Sequence, residues 1–168
     1  METYNNPQLS EKRPVFLTVL CILTLVSCGF SFFGLLINLM QGPASIEALE
    51  AAETALLQVA NDARAQNMGA AAEMMEKVAA FGFYTNEKFY TVLSMNALST
   101  GLGLGGAILM LRRRKIGFHS YILYNIVAIV TIYMAVPVKE VPAILTIVNV
   151  IISAIFIFMY SRNLKWLR

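Results

Sequence analysis

Four long apolar runs, none carrying an acidic residue, a lysine or an arginine, are separated by short polar connections and one longer alanine-rich segment. A helix of about 20 apolar residues crosses the hydrocarbon core of a bilayer. Residues 15–40, 89–111, 116–136 and 141–160 are therefore read as transmembrane helices. Gly42-Pro43 stops the first. Between the first two spans, residues 41–88 alternate at helical spacing, with Ile46, Leu49, Leu56, Ala60 and Ala63 on one stripe. Ala71, Met74, Met75, Val78 and Phe81 form another, beyond a break at Asn67-Met68-Gly69. Ser45 has the character of an N-cap, with Glu47 and Glu50 complementing the helix dipole. The pattern predicts an all-α membrane protein, a four-transmembrane-helix bundle with an external helical hairpin between helices 1 and 2.

Charge orients these elements. Lys12 and Arg13 in the flank 1–14, Arg112, Arg113, Arg114 and Lys115 in the loop 112–115, and Arg162, Lys165 and Arg168 in the tail 161–168 hold nine of the 13 basic residues. With four spans these regions share one face. The positive-inside bias makes that face cytoplasmic, with both termini there. Residues 41–88 and the turn 137–140 then lie outside, and they hold most of the acids: Glu47, Glu50, Glu53, Asp62, Glu73, Glu76, Glu87 and Glu140. The composition, 58% hydrophobic and 14% charged, is that of a membrane protein rather than a soluble domain. Beside two spans, Arg112 to Lys115 read as a topology signal and a contact for anionic lipid, not as a nucleic-acid patch.

Small and polar residues recur at intervals of three and four within every span: Thr24, Ser27, Ser31, Gly34 and Asn38; Asn96, Ser99, Gly103 and Gly106; Gly117, Tyr121, Tyr124, Ala128, Thr131 and Ala135; Thr146, Asn149, Ser153 and Tyr160. That rhythm puts each set on one helix face, as close helix contacts in lipid require. Counted along the helices, Asn96 and Asn149 lie roughly 10–12 Å below the outer ends and Ser31 roughly 14 Å, so the three are expected to form one polar layer. Gly101-x-x-x-Gly105 presents a second small face for a further contact or a homo-oligomer.

No Asp, Glu, Lys, Arg or His lies deep in a span, which argues against an ion-coupled transporter or proton relay. The single histidine, His119, sits near the cytoplasmic interface, and no metal or cofactor site is expected. The membrane hydroxyls have no base beside them in sequence, so no catalytic residue is nominated. Cys21 and Cys28 stand seven residues apart, roughly 10 Å on one helix, and read as packing residues. Lys12-Arg13 followed by Leu25-Val26-Ser27-Cys28 has the form of a lipoprotein signal, but Gly29 to Met40 stays apolar, so the run reads as an uncleaved anchor.

The stretch Arg13-Pro14-Val15-Phe16-Leu17-Thr18-Val19-Leu20-Cys21-Ile22-Leu23-Thr24 resembles the opening of a group of small, uncharacterised four-helix membrane proteins of Bacteroidota. The resemblance covers the first span, implies a bacterial inner membrane and carries no activity. A long segment between the first two spans is also similar to the layout of claudins. The paired loop cysteines and tryptophan motif of that family are absent. The leading reading is a non-enzymatic interaction or assembly component, with Leu49, Leu56, Met74, Met75 and Phe81 offered to a partner or a second copy; the runner-up is a small transporter or channel subunit using Ser31, Asn96 and Asn149, and a membrane enzyme comes third. Its partners are expected to be membrane lipids and a protein, without nucleic acid.

Overall fold

The computed structural model describes residues 14–167. Lys12, Arg13 and Arg168, used in the charge argument, lie outside the described residues. Among the described residues the elements run α1 (Val15–Gln41), α2 (Ile46–Ala65), α3 (Gly69–Glu87), α4 (Phe89–Leu111), α5 (Ile116–Ala135) and α6 (Ala143–Ser161), then a 3-10 turn (Leu164–Trp166), with no strand. Helices α1, α4, α5 and α6 are each long and apolar enough to cross a membrane, the mark of a multi-pass helical membrane protein.

Element ends have local causes. α5 stops at Ala135 and α6 starts at Ala143, inside the expected limits of 136 and 141, because Val136 and Val141 each precede a proline. A residue before proline is driven out of the helical region, and Val136 is extended at φ −122°, ψ 136°. α2 ends in a Schellman motif: Asn67 adopts φ 60°, its N–H reaches Arg64 O, and Met68 N–H reaches Ala63 O at 2.8 Å. The α4–α5 turn repeats this geometry with Arg113 at φ 61°. Gly42 closes α1 at φ 72°, ψ −169°, a conformation side chains disfavour. Ser45 Oγ accepts from Ala48 N–H and caps α2, and Glu47 lies in its first turn.

Packing follows the small residues. α4 and α5 make the most extensive contact and α1 packs on α4. Gly106 and Gly117 bring α4 and α5 together so closely that a Cβ on Gly117 would stand 2.6 Å from Gly106 O and from Met110 N. α6 touches α5 more lightly and is the least buried of the four. The four long helices converge at the end bearing the α4–α5 turn, around Leu17, Leu20, Cys21, Met110, Tyr121 and Tyr160.

α2 and α3 pack on each other through Ala60, Ala63 and Ala72, with Arg64 paired to Glu76 across the contact. The second half of α3 rests on the α5–α6 connection: Phe81 and Tyr84 pack on Ala135, Val136 and Val141. Lys88 Nζ donates to Met134 O at 2.9 Å. Asn86 binds the α1–α2 linker twice: its Oδ1 accepts from Ala44 N–H at 2.7 Å and its Nδ2 donates to Ala44 O at 3.1 Å.

Candidate functional site

The spans do not fill the space between them. From the α2–α3 end downward, a cavity of about 310 Å³ lies between Leu49, Gly82, Thr85 and Asn86 above and Asn38, Phe89 and Asn96 below. Asn38 and Asn96 also line a second cavity of about 310 Å³ among α1, α4 and α5, together with Ser31, Ser99 and Thr100. Tyr124 and Ala128 form the far wall of that cavity and also line a third, of about 190 Å³, among α1, α5 and α6. Thr24, Ser27, Asn125, Asn149 and Ser153 supply the polar lining of the third.

The cavities exist because the polar faces are short side chains on helices that splay. α1 and α6 meet at one end, where Thr24 Oγ1 and Tyr160 OH lie 2.9 Å apart and the Tyr121 and Tyr160 rings are 4.8 Å centroid to centroid. Toward the other end α6 leans on α5 through Tyr133 OH, which donates to Thr146 Oγ1 at 3.3 Å. The polar groups are partly satisfied within their own helices. Asn125 Nδ2 donates to Tyr121 O at 2.7 Å, Ser153 Oγ to Asn149 Oδ1 at 3.4 Å, and Ser31 Oγ to Ser27 O at 3.1 Å. Asn38, Asn96 and Ser31 remain exposed in the chain, facing cavity space. A hydrogen-bonding group at membrane depth calls for a polar companion, since lipid tails offer none.

The structure distributes the residues singled out from the sequence among these places. Ser31 and Asn96 share one cavity, and Asn149 lines another. Arg112, Arg114 and Lys115 are exposed at the α4–α5 turn, and Arg113 is half-buried there. Leu49, Leu56, Met74, Met75 and Phe81 are all half-buried. Met75 packs in the α2–α3 contact, Phe81 on the α5–α6 connection, and Met74 lies beside Pro142 and Ala143. Ile46 is instead 71% exposed, so the α2 stripe twists away from its neighbours at its start. Gly101 and Gly105 face open space. Cys21 and Cys28 are buried, with Cys28 Sγ against Gly103. Asn125, outside every stripe read from the sequence, is the buried amide of the third cavity. A lone Asn in an apolar run was its available signal.

Among the described residues no group of three or more His, Cys, Asp or Glu is placed to hold a metal. No family model, curated protein or solved structure matches the chain.

Proposed function

We propose that this is a non-enzymatic inner-membrane protein of a bacterium that admits small, uncharged, hydrogen-bonding solutes to a cleft among its four bundled spans and facilitates their passage. Both termini are cytoplasmic, the α2–α3 hairpin is external, and the cleft opens beneath it. The basic residues at the α4–α5 turn and the acidic surface of the hairpin support that orientation. The observation that carries the function is the row of three cavities, the first and second lined in common by Asn38 and Asn96, the second and third by Tyr124 and Ala128. Their linings offer both donors and acceptors, and no acidic residue, Lys, Arg or His contacts the solute space of the two deeper ones. A charged solute would find no counter-ion there, whereas a neutral one exchanges its water for amide and hydroxyl partners. The aromatic cluster of Tyr121 and Tyr160 closes the cytoplasmic end in this conformation.

The test is flux of small neutral solutes, of urea to glycerol size, into proteoliposomes. Uptake faster than in protein-free vesicles is expected, with loss in the double variant Asn96→Leu, Asn149→Leu. Each of those substitutions is expected to alter stability by no more than about 2 kcal/mol, the upper range for a membrane hydrogen bond. Flux equal to that of protein-free vesicles for every solute would sink the reading.

A second reading, in which the hairpin docks another protein or copy, is favoured by one observation. Ile46, Leu57 and Val59 on α2 are exposed. Affinity purification in mild detergent decides it: a complex lost on deletion of residues 48–78 would favour docking over solute passage.

A further inference from the structure

The two deeper cavities share only Tyr124 and Ala128, so whatever passes between them passes these side chains. Ala128 is too small to divide them, and the division falls to the Tyr124 ring. That ring lies where α4 offers no side chain: a Cβ on Gly103 would stand 3.2 Å from Tyr124 Cδ2. The Tyr124 backbone is held separately, its carbonyl accepting from Ser99 Oγ at 3.3 Å, so the ring can change rotamer while α5 stays in place. On the far side, Thr24, Ser27, Asn125, Asn149 and Ser153 line a half-open cavity of about 190 Å³, below the roughly 300 Å³ at which drug-sized pockets begin. Thr24, whose hydroxyl is bonded to Tyr160 OH, lines it on the α1 side.

Resting on the solute-cleft reading above, we propose that this third cavity binds a small neutral solute bearing both hydrogen-bond donors and acceptors, and that Tyr124 gates its entry from the second cavity. Asparagine amides and hydroxyls each donate and accept, which suits polyols, amides and ureas and excludes ions. The ring sets access from the second cavity.

The test uses the full chain with Cys21→Ala and Cys28→Ser, in spheroplasts, and a membrane-impermeant methanethiosulfonate as the probe. Asn96→Cys reports on the outer cavity and Ser153→Cys on the deeper one. Asn96→Cys is expected to react at the same rate whether residue 124 is Tyr, Phe or Ala. Ser153→Cys is expected to react slowly with Tyr124 and with Tyr124→Phe. With Tyr124→Ala it is expected to react about tenfold faster or more, since an open state populated at about 10% or less becomes the only state. Should Tyr124→Ala fail to fold, Tyr124→Leu carries the same expectation, keeping apolar bulk without the ring's reach. A Ser153→Cys rate indifferent to the ring, or as fast as that of Asn96→Cys with Tyr124 present, overturns the gating. Failure of Asn96→Cys to react at all overturns the solute-cleft reading itself, so the two failures are told apart.

Discussion

Gly117 and Gly101 are both glycines within transmembrane helices, yet they occupy opposite situations. A methyl group at Gly117 would meet two backbone atoms at 2.6 Å, and backbone cannot step aside as a side chain does. Gly117→Ala is expected to destabilise the protein by about 3 kcal/mol, at the high end of overpacking costs, in a detergent-unfolding titration. Gly101→Ala meets open space and is expected to be neutral or stabilising by up to about 1 kcal/mol, through lower backbone entropy in the unfolded chain. Equal effects at the two positions would contradict the packing of α4 on α5. Thr24 and Tyr160 form the other residue-scale test, because their hydroxyls tie α1 to α6 at 2.9 Å. Thr24→Val and Tyr160→Phe are each expected to cost about 0.6–1.7 kcal/mol, and the double variant little more than either alone. Simple additivity of the two would show that the hydroxyls do not interact.

At the scale of the element, the α2–α3 pair is held by few and identifiable contacts. The buried centre of its own interface is made of alanines, which permit close approach but bury little area each. Most helical stability comes from packing of an apolar face, so the contacts of Phe81 and Tyr84 with the α5–α6 connection carry much of its order. Asn86 clamps the linker on the other side. Asn86→Ala removes both bonds to Ala44 and is expected to raise amide hydrogen exchange in residues 42–48 while leaving α4 and α5 protected. Unchanged exchange there would mean that Gly42 and Pro43 alone set the linker. Deleting residues 48–78 behind a short Gly/Ser bridge is expected to leave all four spans inserted, checked by alkaline extraction, because each span carries its own hydrophobicity.

For the whole molecule, the proposed orientation fixes which turns an impermeant reagent reaches. A cysteine at Asn67, which turns the chain between α2 and α3, is expected to react with an impermeant thiol reagent in spheroplasts. A cysteine at Arg113 is expected to react only after permeabilisation. The reverse pattern would invert the protein, and with it the direction in which the cleft opens. The uneven packing of the spans also has a consequence at this scale. α6 is secured mainly at its end near Tyr160 and by Tyr133 to Thr146, so widening of the cleft is most readily achieved by movement of α6 rather than of the glycine-locked α4 and α5.

The apolar runs, the break at Asn67 and the N-cap at Ser45 could be read from sequence because each depends on residues within a few positions of one another. Lipid requires length and hydrophobicity of a span, left-handed backbone favours Asn or Gly, and a first turn needs an acceptor for its N–H groups. The polar stripes were equally visible, since a 3-4 rhythm is a property of one helix. Which stripes share a space was not. Periodicity gives the face of a helix but neither its neighbour nor its tilt, so Ser31, Asn96 and Asn149 read as one layer, whereas Ser31 and Asn96 line one cavity and Asn149 another. The roles of Tyr124 as a shared wall and of Asn125 as a buried amide arise only where α1 and α6 diverge from α5. The same holds for Phe81: its hydrophobicity was evident along the chain, but only the approach of the α5–α6 connection supplied the surface that half-buries it. Contacts between residues distant in sequence depend on how whole helices pack, and that was decided by the glycines at 106 and 117 and by the splay they leave elsewhere.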